Sequence, residues 1–205
     1  MSSLEVNEIN EKIVELLQEK RICRHVHIPL QSGDSSILKT MNRTYNSNKY
    51  KKKIEMISKK IPGVCIGCDV IVGFPGESDL EFKKTRSFLE SLPLSYLHIF
   101  PFSPRQNTTA ATLKQQIEIS QKRFRYNSLN DINIQKREIY LTSQIDRDLE
   151  IVVEDQIDEN NILGTSSNYQ KVKVKTKQFN KKSLMHVRVT GVDQKFLRAI
   201  PIEKR

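Results

Sequence analysis

No stretch of this chain is apolar enough to cross a membrane, because a spanning helix needs about 20 mainly apolar residues and charged residues interrupt every apolar run before that length. The first residues, Met1-Ser-Ser-Leu-Glu-Val, lack both the basic start and the apolar run of a secretory signal peptide. These absences disfavour membrane proteins and secreted proteins. We expect a cytoplasmic protein that does not associate with membranes.

Cysteine is scarce, and its number is odd. The 3 cysteines are Cys23, Cys65 and Cys68, a count that does not fit a disulfide framework. Cys65 and Cys68 have the spacing of a metal-binding pair, but a tetrahedral site needs about four ligands and the chain offers no second pair. Both also lie in an apolar stretch. We interpret them as buried structural thiols and predict no metal site.

The chain is strongly basic. It has 34 lysines and arginines against 24 aspartates and glutamates, which gives a formal net charge of +10. Such an excess favours a polyanionic partner. A proteome rich in lysine, asparagine and isoleucine would produce the same excess, so charge by itself leaves both explanations open.

The first half of the chain alternates between strand and helix patterns. The predicted strands are 26–30, 64–72 and 96–101, and the predicted helices are 4–20, 35–41, 47–60 and 77–92. Ser78 and Glu81 have the spacing of a capping box at the start of the last helix. The β-α-β-α-β order predicts parallel strands with right-handed crossovers. Because three strands cannot close a barrel, we expect the second half of a larger α/β barrel.

The most informative segment is Asp69-Val-Ile-Val-Gly-Phe-Pro-Gly-Glu77, an apolar strand that runs directly into a glycine turn and a helix. Ligands bind at this end of the strands in parallel α/β sheets. Glycines let the backbone approach a ligand closely. Asp69 is unusual, because a carboxylate in an apolar strand requires pairing or hydrogen bonding. Glu77 is expected to stabilise the start of the following helix.

The second half of the chain has a different pattern. A long polar helix is predicted at 115–146 and is interpreted as a connector. Beyond it the apolar period changes to two, with strands at 150–154, 169–177 and 184–190, which predicts a small antiparallel barrel. We therefore predict three regions, at 1–113, 114–146 and 147–205.

The segment 169–177 has the cleanest alternation in the chain. It is predicted to place Val172 and Val174 on one face and Tyr169 on the other. The lysines predicted on the same face as Tyr169 are Lys171, Lys173, Lys175 and Lys177. Ammonium groups spaced about 7 Å apart beside an aromatic ring are typical of a surface that binds single-stranded RNA. The alternative is an edge strand that lysines protect from aggregation.

Four motifs occur in order along the chain: His27-Ile-Pro-Leu-Gln-Ser-Gly33, Met41-Asn-Arg-Thr-Tyr45, the Asp69–Glu77 segment, and Phe100-Pro-Phe-Ser-Pro-Arg105. Together they resemble the radical S-adenosylmethionine methylthiotransferases, which add a methylthio group to a tRNA adenosine beside the anticodon or to a ribosomal-protein aspartate. Residues 162–169 resemble the TRAM domain, a small RNA-binding barrel. The resemblance implies strands four to six of a partial barrel of about six strands, followed by a TRAM-like domain.

The resemblance also implies binding residues. The positions expected to contact S-adenosylmethionine are Gln31, Ser32, Gly33, Asp69, Ile71, Gly73, Phe74, Pro75 and Phe100. Those expected to contact tRNA are Arg105, Tyr169, Lys171, Lys173, Lys175 and Lys177. Turn formation and core packing are the alternatives for several of them. The family usually has Gly-Thr shortly after this arginine, where the chain has Asn107-Thr108, and asparagine tolerates a left-handed backbone.

Radical chemistry in this family uses a 4Fe–4S cluster held by a Cys-x3-Cys-x2-Cys motif, and the three cysteines of this chain lack that spacing. We therefore predict no catalytic residue here and expect the C-terminal half of an enzyme, inactive by itself. The threonylcarbamoyladenosine branch of the family fits best. Isopentenyladenosine tRNA and a ribosomal-protein aspartate are the alternative substrates. The alternative functions are a non-catalytic RNA-binding module and one subunit of a split enzyme whose N-terminal half is encoded separately.

The four histidines are scattered along the chain. His27 and His98 are expected near the site, but we interpret them as satisfied core or rim residues and not as ligands.

Overall fold

The computed structural model describes residues 4–203. The helices are α1 (Glu11–Leu16), α2 (Ser35–Thr40), α3 (Ser47–Lys60), α4 (Asp79–Ser91), α5 (Thr109–Thr112) and α6 (Ile119–Thr142). The strands are β1 (His25–His27), β2 (Cys65–Val72), β3 (Tyr96–Pro101), β4 (Asp148–Asp158), β5 (Asn161–Ser166), β6 (Lys171–Lys175), β7 (Leu184–Asp193) and β8 (Phe196–Pro201). Within the described range, no helix is both long enough and apolar enough to span a bilayer.

The first three strands form a parallel sheet in the order β1-β2-β3, as the sequence pattern predicts. Alternate residues of β2 point to opposite faces. Ile66, Cys68 and Val70 are fully buried on one face and belong to the main hydrophobic core, which α3 and α4 help to form. The other face carries Asp69 and Ile71, which are only partly buried. The sheet therefore has one packed face and one partly open face.

Side-chain caps determine where the helices of the first half begin. The capping box predicted at Ser78 and Glu81 is present at the start of α4. Helix α1 is much shorter than predicted, because the side chain of Asn10 accepts a hydrogen bond from the Ile13 N–H and starts the helix there. Residues 4–9 form a loop with a turn and bury Leu4, Val6 and Ile9 in the main core, and the Leu4 N–H donates to the His27 carbonyl at 2.9 Å.

A buried ion pair joins α6 to the turn that follows β2. The Arg125 side chain is 1% exposed, and its Nη1 lies 2.8 Å from Oε2 of Glu77, whose side chain is 0% exposed. The same Glu77 oxygen accepts the Gly73 N–H at 2.7 Å. Glu77 therefore holds the turn and pairs with α6, which corrects the expectation that it stabilises the start of α4.

Helix α6 also begins later than predicted. The Gln115 carbonyl accepts the Gly76 N–H at 2.9 Å, so the residues around 115 are extended alongside the turn and the helix starts at Ile119. The helix ends at Thr142, and Asp146 just beyond it has a left-handed backbone with φ of 66°.

The last five strands form a closed barrel in the order β4-β5-β6-β8-β7. Its core is a separate cluster that includes Ile151, Val172, Val174 and Leu197. Strands β5 and β8 were missing from the sequence prediction. Their inward positions include a glycine and an alanine, Gly164 and Ala199, so neither segment has the strong apolar alternation of its neighbours.

The lysine-rich strand differs from its prediction at both ends. Strand β6 starts at Lys171 and ends at Lys175, so Lys177 lies beyond it. Tyr169 precedes it in a left-handed turn with φ of 62°, and it therefore does not share the lysine face. Strand β6 pairs with β5 on one side and with β8 on the other. The protected-edge interpretation was wrong, because a strand paired on both sides is not an edge.

Replacing Arg125 tests whether the buried ion pair holds α6 in place. Arg125→Ala leaves the Glu77 carboxylate buried without its cation, so we expect the free energy of unfolding to fall by about 3–5 kcal/mol. Arg123→Ala removes an exposed arginine of the same helix and is the matched control. Urea denaturation followed by circular dichroism measures both variants. Equal stabilities for the two variants would show that the pair contributes nothing.

Candidate cofactor and RNA-binding sites

Asp69 lies at the centre of the open face of the parallel sheet. Its Oδ1 is 2.8 Å from Nε2 of His27 on β1 and 3.4 Å from Nδ1 of His98 on β3. The hydroxyl oxygen of Tyr96 is 3.2 Å from Nδ1 of His27 and 2.9 Å from Nε2 of His25. The prediction that this carboxylate must be paired is confirmed.

Four of the residues predicted to contact the cofactor lie at this face or at its rim. Ile71 is the register partner of Phe100, and the Phe100 side chain is 51% exposed. Gln31 has a left-handed backbone with φ of 71°, which is rare for a residue other than glycine. Its N–H donates to the Asp69 carbonyl at 2.8 Å, and its own carbonyl accepts the Ile71 N–H at 2.9 Å. The structure thus brings Gln31, Asp69, Ile71 and Phe100 together, and their ligand contacts stay a prediction.

Two further predicted residues face helix α4 instead of the open side. The Ser32 hydroxyl lies 3.2 Å from Oγ1 of Thr85, and the Gly33 N–H donates to the same oxygen at 3.2 Å. A Cβ at Gly33 would lie 2.8 Å from the Thr85 Cα, so only glycine allows this close packing. Both residues use their polar groups within the fold, and their cofactor contacts are untested predictions.

The remaining predicted positions form the turn after β2. Phe74 is buried and packs edge-on against Phe102, with ring centroids 5.3 Å apart, and Pro75 is buried beside it. Gly73 has φ of 71°, and the side chain of Lys122 covers the space where a Cβ would be. Gly73, Phe74 and Pro75 therefore support the turn, and a cofactor would reach the Gly73 backbone only after Lys122 moved.

The two strand cysteines are buried thiols, as predicted. Cys65 and Cys68 are three positions apart on β2, so their side chains point to opposite faces. Burial raises the pKa of Cys65 to about 11 and that of Cys68 to about 12. Both are protonated at neutral pH, and they cannot ligate one ion together.

The barrel carries a basic groove with a volume of about 450 Å³. Lys173 and Arg198 are register partners on β6 and β8, and Lys175 lines the same groove. Lys171 is exposed but already paired, because its Nζ lies 2.6 Å from Oε2 of Glu154. Sequence reasoning missed Arg198 because it missed β8, although the alternation Phe196-Leu-Arg-Ala-Ile200 was the available signal.

Tyr169 contacts the parallel sheet, away from the basic groove. Its ring stacks on His25 with centroids 4.7 Å apart, and its side chain remains 60% exposed. Burial is the main cause that lowers the pKa of His25 to about 4, so the stacked imidazole is neutral at pH 7. The adjacent Asn168 amide donates to the Tyr140 hydroxyl at 2.9 Å and to Oε1 of Gln144 at 3.0 Å. Tyr169 and Asn168 thus join the barrel to the sheet and to α6.

Arg105 follows β3 and is exposed. The turn after it keeps a left-handed residue, since Asn107 has φ of 64°. The Thr108 hydroxyl donates to the Arg105 carbonyl at 2.8 Å and closes the turn. Asn107 thus adopts the left-handed backbone that asparagine tolerates.

Comparison with known proteins identifies similar sequences and one similar fold. Residues 2–89 match the radical SAM superfamily. The chain is 35% identical over 177 residues to the threonylcarbamoyladenosine tRNA methylthiotransferase MtaB of Bacillus subtilis, a match that covers 84% of this chain and 39% of the relative. The first part of the chain is thus similar to the radical SAM superfamily. Its resemblance to the tRNA methylthiotransferases, inferred above from four motifs, is confirmed.

Two further relatives have similar sequences. The chain is 36% identical to MtaB of Aquifex aeolicus, covering 84% of this chain and 41% of the relative. It is 31% identical to the tRNA-2-methylthio-N(6)-dimethylallyladenosine synthase of Syntrophomonas wolfei, covering 83% of this chain and 37% of the relative. The chain thus spans about two fifths of the length of the curated relatives it matches.

A solved structure shows the same fold. The radical SAM enzyme coproporphyrinogen III oxidase HemN of Escherichia coli superposes with a TM-score of 0.56 at 16% identity, covering 66% of this chain and 32% of that one. At this identity the likeness concerns the fold alone.

Thiol accessibility tests the assignment of the cysteines. A raised pKa lowers the thiolate fraction at pH 8, and burial blocks access, so we expect Cys65 and Cys68 to be unreactive in the folded protein. Cys23 is exposed and should be the one thiol per chain that reacts quickly with Ellman's reagent. Cys23→Ser should remove the fast reaction, and guanidinium should release the other two thiols. Fast reaction in folded Cys23→Ser would contradict the assignment.

Proposed function

We propose that this chain is part of a radical SAM enzyme and supplies the second half of a methylthiotransferase barrel and a TRAM-like RNA-binding domain. The intact enzyme would add a methylthio group to C2 of threonylcarbamoyladenosine next to the tRNA anticodon. The similarity to two MtaB proteins supports this substrate. A match over 84% of the chain must include residues of both the parallel sheet and the barrel. The similarity to a dimethylallyladenosine synthase makes that modified adenosine the second candidate.

The open face of the sheet is the proposed wall for S-adenosylmethionine. Gln31 lies at the rim with a left-handed backbone, Asp69 offers a carboxylate, and Phe100 offers an exposed ring for adenine packing. The thiols of the chain do not fit a 4Fe–4S cluster, because Cys65 and Cys68 point to opposite faces of β2 and the third, Cys23, precedes β1. The cluster therefore requires ligands other than these three.

The basic groove of the barrel is the proposed contact for tRNA phosphates. Lys173, Lys175 and Arg198 line one depression, and clustered cations of this kind bind polyanions through release of counterions. Lys171 is paired with Glu154, and Lys177 lies beyond the strand, so both contribute less. Arg105 and the exposed ring of Tyr169 lie outside the groove and are proposed as separate tRNA contacts.

A second candidate function is a non-catalytic RNA-binding module. The basic groove favours it, because binding of a polyanion there requires no cluster. In that case the barrel binds tRNA in the same way, but the chain never contributes to methylthio transfer. A separately encoded N-terminal half would be the partner in a split enzyme. Formation of the methylthio product therefore decides between these functions.

The salt dependence of tRNA binding tests the groove. Each lost phosphate contact removes about one released counterion, so the triple variant Lys173→Gln, Lys175→Gln, Arg198→Gln should reduce the slope of log K against log salt by about 2–3. Affinity should fall most at low salt. Fluorescence anisotropy with labelled tRNA over a salt series measures both quantities.

The matched control removes three exposed lysines from the other half of the chain, by Lys20→Gln, Lys52→Gln and Lys59→Gln. It lowers the net charge equally but leaves the groove intact, so the slope should stay close to that of the unaltered protein. Equal slopes for the two triple variants, with folding confirmed by circular dichroism, would show that the groove is not the tRNA contact.

A further inference from the structure

Three side chains with metal-binding chemistry converge on the open face of the parallel sheet. One ligand atom from each of His27, Asp69 and His98 lies within 4.8 Å of the other two. We propose that these three residues bind a divalent transition-metal ion. This revises the expectation from sequence that the histidines are not ligands, and it does not depend on the proposed methylthio transfer.

The distances are close to those of a bound ion. Nε2 of His27 lies 2.8 Å from Oδ1 of Asp69, and Nδ1 of His98 lies 3.4 Å from the same oxygen. An ion about 2.0–2.2 Å from each ligand places neighbouring ligand atoms about 3.0–3.5 Å apart. The two measured distances are thus within a few tenths of an ångström of that range, and the remaining pair of ligand atoms lies within 4.8 Å.

The backbone fixes the three ligands on adjacent strands. Asp69 is the register partner of His98, and His27 is the partner of Gly67, two residues before Asp69. Side chains in such opposite and diagonal positions are within contact distance on one face of a sheet. Ligands on paired strands are held more rigidly than ligands on loops.

The ligand types determine the class of ion. Two imidazole nitrogens and one carboxylate oxygen suit Fe²⁺, Co²⁺ and Zn²⁺, whereas Mg²⁺ and Ca²⁺ prefer oxygen ligands. Three protein ligands leave coordination positions for water or another small ligand. The His98 side chain is 50% exposed and lines a cleft with a volume of about 1060 Å³, so a small ligand has access.

Tyr96 supplies the outer contact that metal-bound histidines usually have. Its hydroxyl oxygen lies 3.2 Å from Nδ1 of His27, on the opposite side of the ring from Asp69. A partner at the second ring nitrogen orients the imidazole and leaves Nε2 for the ion. The competing explanation is a group held together by hydrogen bonds alone, with Asp69 accepting one from each ring.

Titration of the full chain with Co²⁺ separates the two explanations. The protein is prepared without a polyhistidine tag and stripped with a chelator. We expect one ion per chain, visible d–d absorption bands, and displacement by Zn²⁺. Asp69→Asn and His98→Ala each remove a ligand and should weaken binding by more than about 100-fold, and Tyr96→Phe should weaken it about 10-fold.

His186→Ala is the matched control, because His186 pairs with Glu150 on the distant barrel and its loss should leave binding unchanged. His98 is exposed and can be replaced without disturbing the core. If Asp69→Asn fails to fold, comparison of the Co²⁺ affinities of His98→Ala and His186→Ala therefore still separates the two explanations. Absence of Co²⁺ binding, unchanged affinity in His98→Ala, or a thiolate-to-cobalt charge-transfer band would overturn the proposal.

Discussion

The buried ion pair between Arg125 and Glu77 is the interaction on which the arrangement of this chain depends. It fixes α6 against the turn after β2, and α6 leads directly to the barrel. Burial of two charges is unfavourable unless they are well paired. Among the described residues, Oε1 of Glu77 and Nε of Arg125 have no hydrogen-bond partner, so the pair is not optimised for stability. The pair therefore defines the positions of the turn, of α6 and of the barrel that follows α6.

The turn after β2 also lies at the end of the parallel sheet where the polar side chains for a ligand are exposed. Glu77 accepts the Gly73 N–H, which holds the left-handed glycine at the end of β2. The opposite face of the sheet is packed, so the polar side chains of β1, β2 and β3 collect on the side that remains open. Asp69 at the centre of that side is stabilised by two imidazoles. Cofactor binding and metal binding are both proposed on this open face, because the opposite face is packed into the hydrophobic core.

Local signals in the sequence predicted the first half of the fold well. Capping residues and apolar periodicity located α3 and α4, and the apolar run before Gly73 located β2. Predictions failed where a distant segment decides the structure. The residues around Gln115 pair with Gly76, and β8 exists only because β6 and β7 lie on either side of it. The pairing of Gln115 with Gly76 leaves no local pattern, and the short alternation at 196–200 is a weak one.

The candidate site was predicted less completely for the same reason. Motif positions indicated that Gln31, Asp69 and Phe100 lie near one another. The grouping of His27 and His98 around Asp69 depends on strand register, and the turn that moves Tyr169 away from the lysines depends on contacts with α6. Arg198 lies in the basic groove because β6 and β8 pair in parallel, and this pairing is not apparent from the sequence of either strand.

The most direct test of the account is a chimera in which this chain replaces the matching segment of the Bacillus subtilis MtaB protein. The chimera is expressed in a strain without its own threonylcarbamoyladenosine methylthiotransferase, and tRNA nucleosides are analysed by mass spectrometry. The account predicts the 2-methylthio product, and it predicts loss of that product in the chimera with Asp69→Ala. A folded chimera that contains its iron, binds tRNA and makes no product would contradict the account and support a non-catalytic RNA-binding module.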